Sequence, residues 1–384
     1  MSDPPKVEFY RHSVGAEEVA AVSEAMSDVF LTTGSRVAEF EARLATYLGG
    51  DAIGLNVLGL SSCTAGLHLA LLGYDIGPGD EVITTPMTFV ASANAILYAG
   101  ATPVFVDVDA VTGNIDPTQV EAAITDKTRA VMAVHLYGHL CDMHALRALC
   151  DRHDLRLIED AAHCVDGSRA GVRPGQLGDA AVFSFHAVKN ITSGEGGAIA
   201  TKDGEMFERL RPLSLHGQSA GAGERYASTY RHWDMVSLGY KYNMTNLAAA
   251  MLNPQLARVD EQRDARERIA QTYAAAFADV DGIDSPTVAA DATSGRHLFT
   301  IWVPAGERDR YLTELSQRGI GVAVNYRAIH LLSYYQQRLG LPRGSFPIAE
   351  EIGDRTISIP LYPSLTQDEQ RRVIDAVLAV HGVS

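Results

Sequence analysis

The chain has 384 residues, of which 46% are hydrophobic, and 32 basic against 47 acidic residues give it a formal net charge of −15. This length and apolar content allow a large buried core and predict about two domains. The acidic balance, with no long basic block, argues against nucleic acid as a partner.

The sequence also indicates a cellular compartment. No apolar run reaches the roughly 18 residues of a membrane span, and the N-terminal segment MSDPPKVEFYRHS lacks the basic-then-apolar layout of a signal peptide. The four cysteines are few for this length and favour reduced thiols over a disulfide framework. We therefore expect a cytoplasmic protein with no membrane partner.

The first half of the chain predicts alternating helices and strands. Apolar spacing predicts helices over 15–29 and 36–48 in an N-terminal arm, and a helix from about Thr64 to Tyr74. Further predicted helices are ASANAILYAG and MHALRALCDRHD, and the predicted strands are EVITT, TPVFVDVD, RAVMAVHLYG, LRLIEDAA, AAVFSF and GGAIAT. This alternation predicts an α/β fold with a mostly parallel sheet, helices on both faces, and ligands at the carboxyl ends of the strands.

The second half predicts a different arrangement. Residues 217–230 are rich in Gly, Ala and Ser and predict a mobile loop, and a long charged helical stretch follows at about 246–277. The remaining predicted elements are strand RHLFTIWV, helix DRYLTELSQRG, strand GVAVNY and a terminal helix at about 366–381. We therefore expect a large domain with its arm over residues 1–250, and a linking helix with a small α+β domain over residues 251–384.

Lys189 lies in a small, polar loop between the predicted strands AAVFSF and GGAIAT. A lysine there can be partly desolvated, which lowers its pKa and leaves an amine able to form a Schiff base. On position alone, a surface lysine in a strand connection is the commoner alternative. Asp160 ends the strand LRLIED, where a carboxylate can hold a protonated ring nitrogen or cap the next segment. An amine and a carboxylate are the two protein groups that a pyridoxal phosphate site needs most.

Other motifs give weaker signals. The turn Ser61-Ser62-Cys63-Thr64 precedes a helix and suits a phosphate, although most such turns are only helix caps. Phe89 can lie against a planar ring or in the core. No G-x-G-x-x-G follows a strand and no phosphate loop is present, which disfavours dinucleotide and P-loop sites.

Metal binding is a further alternative. Two Cys-x-x-His pairs are formed by Cys141, His144, Cys150 and His153. All four lie in or beside one amphipathic helical segment, where they need not converge, so we expect no metal site.

Several linked motifs carry a resemblance to a known family: IEDAAH, FSFHAVKN with GEGG, SSCTAGLHLA, TTPMTFVASAN and GYKYNMTN. In this order, across nearly the whole chain, they resemble the DegT-type sugar aminotransferases, which are fold type I pyridoxal phosphate enzymes. Within that family the chain is similar to bacterial enzymes that aminate C4 of UDP-4-keto sugars, namely those that make UDP-4-amino-4-deoxy-L-arabinose and the 4-amino precursor of pseudaminic acid. Relatives that dehydrate sugars replace the lysine by histidine, so the lysine here favours transamination.

The resemblance implies a fold and a cofactor site. The fold would be a large domain with a mostly parallel seven-stranded sheet and a smaller C-terminal α+β domain. Lys189 would hold the cofactor covalently and move the proton, while Asp160 would pair with its pyridinium nitrogen. The other cofactor contacts implied by the resemblance are Cys63, Thr64 and Ser184 at the phosphate, Phe89 against the ring, and His163 near the phenolic oxygen. Cys63 departs from the Gly or Ala that is common there.

The resemblance also implies partners. Asn243 would reach the phosphate of the neighbouring subunit's cofactor, which implies a homodimer with shared sites. Tyr326 and His330 fall in the region that contacts the sugar, and the diphosphate of a nucleotide sugar calls for local cations such as Arg231, Lys241 or Arg327. The expected reaction moves an amino group from L-glutamate to C4 of a nucleotide-linked 4-keto sugar. Amination at C3 and a non-catalytic regulatory protein with the same fold are the alternatives.

Overall fold

The computed structural model describes residues 5–219 and 232–383, which form a large sheet flanked by helices and a smaller C-terminal unit. The strands are β1 (Asn56–Leu60), β2 (Glu81–Thr84), β3 (Thr102–Phe105), β4 (Thr128–Val134), β5 (Arg156–Asp160), β6 (Ser168–Arg169), β7 (Ala180–Ser184), β8 (Gly197–Thr201), β9 (Ala292–Thr293), β10 (Phe299–Trp302) and β11 (Thr356–Ile359). The helices are α1 (Ala16–Ala25), α2 (Ser35–Tyr47), α3 (Cys63–Gly73), α4 (Ala91–Tyr98), α5 (Pro117–Ala122), α6 (Met143–His153), α7 (Gly204–Ser214), α8 (Asn246–Ala257), α9 (Val259–Phe277), α10 (Arg308–Gln317), α11 (Ser333–Leu339), α12 (Pro347–Arg355) and α13 (Gln367–His381).

The large sheet has the strand order β1-β8-β7-β5-β4-β2-β3. The neighbours from β7 to β3 are parallel, whereas β8 runs antiparallel to both β7 and β1. The predicted α/β fold with a mostly parallel sheet is confirmed. Because parallel strands end at the same edge, the loops that follow β2, β4, β5 and β7 meet there.

Helices cover both faces of this sheet, as the sequence predicts. Successive strand residues point to opposite faces, so Val182 of β7 packs in the core that contains Leu67 of α3, while Phe183 packs in the core that contains Phe40 of α2. A further apolar core, which contains Leu146 of α6, lies against β4 and β5. The sheet is therefore a rigid, buried platform for the loops at its edge.

The C-terminal unit has its own apolar core around the antiparallel pair β10 and β11. Helices α9, α10 and α13 supply side chains to this core, and Val7 of the N-terminal arm is buried in it. The predicted division of the chain between residues 250 and 251 stays a prediction.

The structure corrects two of the predicted elements. The segment GVAVNY is not a strand: only Ala323 pairs with Ser358 of β11, after which the chain turns toward the edge of the large sheet. The helical stretch at 246–277 is two helices, because Arg258 leaves the helical conformation (φ −119°, ψ 16°) between α8 and α9. This break lets α8 pack on α1 and α2 while α9 continues into the C-terminal unit. Of the predicted mobile loop at 217–230, residues 220–230 lie outside the described residues.

All four cysteines are buried free thiols. No helix in residues 5–219 and 232–383 is both long and apolar enough to cross a membrane.

Candidate active site

A cavity of about 390 Å³ lies at the edge of the large sheet where the parallel strands end. Most of the candidate residues line this cavity, and they come from segments far apart in the sequence. Those that line it are Cys63, Thr64, Phe89, Asp160, His163, Ser184, Lys189 and Tyr326. Cys63 and Thr64 begin α3, and the others end a strand or lie in loops between elements, so the fold brings eight of the ten candidates together.

Asp160 is the last residue of β5 and is 5% exposed. Its Oδ2 accepts a hydrogen bond from Ser92 Oγ at 2.7 Å, and its Oδ1 accepts from the backbone N–H of Ala162 at 3.1 Å. The Cys63 thiol also lies 3.8 Å from Oδ1, and burial, reinforced by the charge of Asp160, raises the pKa of this thiol well above its usual value. The thiol therefore stays protonated and donates. Three donors fix the orientation of the Asp160 carboxylate in the cavity wall.

Lys189 extends from the loop between β7 and β8 into the cavity and is partly buried. Burial lowers the pKa of its amine to about 8, and the negative charge of Asp160 opposes this shift. Nζ lies 3.4 Å from Nε2 of His297. An amine with this pKa gains and loses a proton readily near neutral pH, which general acid and base catalysis requires.

His163 and Tyr326 form a polar pair on the same cavity wall. The backbone N–H of Tyr137 donates to His163 Nδ1 at 3.3 Å, and His163 Nε2 lies 3.0 Å from the Tyr326 hydroxyl. Burial, together with the charge of Lys189, holds the pKa of His163 well below its usual value, so the ring is neutral. Since Nδ1 is an acceptor, the single ring proton resides on Nε2 and is donated to Tyr326. The Tyr326 hydroxyl proton is then free for another acceptor.

The N-terminus of α3 forms another part of the wall. Ser62 caps this helix, because its Oγ accepts from the backbone N–H of Ala65 at 3.1 Å. A Cβ on Gly197, at the start of β8, would collide with the backbone of Ser62 and Cys63, so only glycine permits this close approach. The first backbone N–H groups of α3 have no partner within the helix, and they suit an anion beside Thr64.

Phe89 lies at the mouth of the cavity. Its side chain is 55% exposed, and its ring centroid is 5.9 Å from that of Tyr326. A large aromatic ring this exposed at the opening of a cavity offers a face to a planar ligand.

Asn243 and His330 do not line the cavity. Asn243 Nδ2 donates to Thr33 Oγ1 at 2.9 Å, and its Oδ1 is buried without a hydrogen-bond partner among the described residues. His330 is fully buried, with Nε2 2.9 Å from Oε1 of Glu350. Both residues are held by the protein in places apart from the cavity.

The other candidates that the structure describes also lie apart from the cavity. Cys141 and Cys150 are buried in an apolar core, whereas His144 and His153 are exposed on α6. These four side chains do not converge, and the described residues contain no group of three or more potential metal ligands. Lys241 and Arg327 are exposed and do not line the cavity, and Arg231 lies outside the described residues.

Sequence patterns did not reveal two polar residues of this region, Ser92 and His297. The sequence around Ser92 predicts an ordinary helix with a small residue at this position. The sequence around His297 predicts the beginning of a strand. Their roles depend on contacts between segments that are 68 and 108 residues apart in the sequence. No local signal identifies them.

Comparison with known proteins identifies the family. A family model for the DegT/DnrJ/EryC1/StrS aminotransferases matches residues 12–378. The chain is 41% identical over 370 residues to the spore coat polysaccharide biosynthesis protein SpsC of Bacillus subtilis, covering 95% of this chain and 94% of SpsC. Spr1654 of Streptococcus pneumoniae in its PMP form has a TM-score of 0.92 at 31% identity, covering 98% of this chain and 99% of that one.

A second solved structure has a related role. PseC of Helicobacter pylori, an aminotransferase involved in the biosynthesis of pseudoaminic acid, has a TM-score of 0.90 at 28% identity, covering 98% of this chain and 99% of PseC. The resemblance seen in the sequence motifs is thus confirmed over nearly the full length. The chain belongs to the DegT/DnrJ/EryC1/StrS aminotransferase family, and it is a pyridoxal phosphate-dependent sugar aminotransferase of fold type I.

Proposed function

We propose that this enzyme moves an amino group from L-glutamate to C4 of a nucleotide-linked 4-keto sugar. The observation that carries the proposal is the convergence of Lys189 and Asp160, with the α3 N-terminus, on one cavity. Amination at C4 is supported by motifs similar to those of C4 aminotransferases and by the similarity to PseC.

The residues present fit pyridoxal phosphate. The cavity has one carboxylate oriented by three donors, one amine of lowered pKa, and a helix N-terminus approached closely by Gly197. We propose that Asp160 binds the pyridinium nitrogen and that the phosphate lies at Cys63, Thr64 and Ser184. When bound, the cofactor supplies a cationic ring that accepts the electrons released as a proton leaves the amino-bearing carbon.

The chain's own groups would divide the remaining work. Lys189 Nζ moves the proton, because its pKa of about 8 lets it act both as base and as acid near neutral pH. Phe89 covers one face of the cofactor ring at the cavity mouth. Once the cofactor lies against it, the Phe89 side chain keeps water away from that face. Tyr326, oriented by His163, directs its hydroxyl proton to an acceptor on the cofactor or the sugar.

We further propose a homodimer in which Asn243 completes the neighbouring site. Its side chain is fixed by Thr32 and Thr33, and its Oδ1 has no partner among the described residues. Nearby in the sequence, Val236 and Leu238 are 59% and 78% exposed, which suits a surface that a second copy covers. Light scattering on the purified chain measures the mass, and a monomer would contradict this arrangement.

A spectroscopic experiment tests the function. The purified enzyme is loaded with pyridoxal phosphate, and its absorbance is followed as excess L-glutamate is added. We expect the band of the lysine-bound cofactor to disappear and a pyridoxamine-type band to grow. A band that glutamate does not change would exclude glutamate as donor, and an unchanged band with every amino donor would favour the non-catalytic alternative.

The acceptor is then tested with nucleotide-linked 4-keto and 3-keto sugars. NMR of the product assigns the position of the new amine, and an amine at C3 would refute the C4 assignment. The variant Lys189→Ala is expected to lose both steady-state turnover and the band of the lysine-bound cofactor. Turnover retained in this variant would contradict the role given to Lys189.

A further inference from the structure

His297 contacts the amine of Lys189 from the side of the N-terminal arm. Its Nε2 lies 3.4 Å from Lys189 Nζ and is, within residues 5–219 and 232–383, the only hydrogen-bond partner of that amine. His297 is 7% exposed and borders two small cavities, which lie behind the lysine and are also lined by Tyr10. The amine therefore lies between the cofactor cavity on one side and this histidine on the other.

The contact is built into the fold on both sides. Asn190, next to the lysine, donates through Nδ2 to the carbonyl of Gly295 at 2.7 Å and to Asp166 Oδ1 at 2.9 Å. His297, two residues after Gly295, donates its backbone N–H to the carbonyl of Tyr137 at 3.1 Å. The loop of Lys189 and the segment of His297 are thus bonded to each other and to the sheet edge.

We propose that His297 is a positioning residue whose Nε2 accepts a hydrogen bond from Lys189 Nζ whenever that nitrogen is not attached to the cofactor. During transamination the lysine must be released and later return to the same carbon, and a flexible side chain without a partner would have many rotamers to explore. The histidine holds the released amine at the cavity wall. This inference rests on the role proposed for Lys189.

The surrounding charges agree with a neutral, accepting histidine. Burial, and then the positive charges of Lys189 and Arg266 together with the neighbouring His163 and His186, hold the pKa of His297 well below its usual value. A neutral ring that accepts at Nε2 carries its proton at Nδ1. On its opposite side, Lys189 faces Asp160 and Cys63.

The tautomer of His297 can be measured in the unaltered chain without cofactor. Long-range ¹H–¹⁵N NMR distinguishes the two neutral tautomers, and the His297 signals are assigned by their loss in His297→Gln. We expect the Nδ1–H form. Measured below about pH 8, where the Lys189 amine is protonated and has no free lone pair, the Nε2–H form would overturn the proposal, since two donors cannot share a hydrogen bond.

Variants test the effect on the lysine itself. The chain has five lysines, Lys6, Lys127, Lys189, Lys202 and Lys241, so ¹³C-methylated lysine amines give a simple spectrum in which Lys189 is assigned by its loss in Lys189→Arg. The variant His297→Leu removes the acceptor and should lower the pKa of this amine by about one unit. In the unaltered chain the hydrogen bond to His297 stabilises the protonated amine, so its loss favours deprotonation. His297→Gln, which keeps an acceptor at a similar distance, should recover most of this shift.

A control variant distinguishes loss of the contact between His297 and Lys189 from a nonspecific effect of removing a histidine. His381→Leu removes another histidine, one that is hydrogen-bonded to Tyr311 far from the cavity, and it should leave the Lys189 pKa unchanged. With cofactor, His297→Leu should lower kcat about tenfold while changing the KM for glutamate less than twofold, as expected when an oriented group is lost. An unchanged Lys189 pKa in a folded His297→Leu variant would overturn the proposal.

These results are independent of the proposed function. The NMR measurements use the chain without cofactor and report only the contact between the two side chains. Failure of the assigned reaction would instead show as an unaltered chain whose cofactor spectrum does not respond to any amino donor.

Discussion

Replacing Arg266 by methionine removes one half of a buried ion pair beside the Lys189 loop. Arg266 and Asp166 are 2% and 1% exposed, and an Arg266 N–H donates to Asp166 Oδ2. Removing one partner of a buried pair leaves the other charge uncompensated, which typically costs about 3–5 kcal/mol. We expect Arg266→Met to reduce the free energy of unfolding by about this amount at pH 8.

The loss should depend on pH in a defined direction. Burial raises the pKa of Asp166, whereas Arg266 and Asn190 lower it, so removing Arg266 raises it further. A carboxyl whose pKa is raised in the folded state destabilises the fold when it is ionised, at a pH above that pKa. This loss of stability disappears as the pH falls toward the pKa of the same carboxyl in the unfolded chain, near 3.9. Because the pKa of Asp166 is already raised in the unaltered chain, the deficit of the variant should be largest at pH 8 and should shrink, by up to about 1.4 kcal/mol per pH unit, as the pH falls from the higher pKa of the variant to the pKa of the unaltered chain.

Urea unfolding of the cofactor-free chain, followed by circular dichroism at several pH values, measures this effect. The matched control is Arg209→Met, which breaks the pair with Asp75, whose two side chains are 43% and 76% exposed. Exposed pairs contribute under about 1 kcal/mol. The reasoning is refuted if Arg266→Met loses no more stability than Arg209→Met, or if its deficit grows as the pH falls.

Two further predictions concern the cofactor site. Ser92→Ala removes the 2.7 Å hydrogen bond to Asp160, and we expect affinity for pyridoxal phosphate to fall about tenfold, measured by spectroscopic titration, because a bond to a charged group is worth about 1.5 kcal/mol or more. Unchanged affinity would mean that the remaining donors orient the carboxylate alone. Gly197→Ala places a Cβ against the backbone of Ser62 and Cys63, and we expect a loss of about 1–3 kcal/mol in unfolding free energy together with weaker cofactor binding. A stable variant with normal affinity would show that the α3 N-terminus can move without consequence.

Much of the large sheet could be predicted because its signals are local. The strands that surround Asp160 and Lys189 are short apolar runs separated by amphipathic helices, and this alternation predicts a parallel sheet with its functional residues at one edge. The structure confirms the sheet and brings the residues of these loops to one cavity.

Other features had no local signal. The segment GVAVNY has strand composition, yet only Ala323 pairs with β11, since pairing depends on where the rest of the chain leads. Likewise, the charged stretch at 246–277 has continuous helical spacing, and the break at Arg258 reflects the packing of α8 against α1 and α2.

The sequence by itself determined the alternation of strands and helices, the loop that carries Lys189, and the carboxylate that ends β5, because periodicity and turn chemistry act between near neighbours. The tertiary structure alone decided which distant groups complete the site. Ser92 reaches Asp160, and His297 reaches Lys189, across separations of 68 and 108 residues. Such contacts arise from the packing of whole elements, and no pattern within either segment specifies its partner.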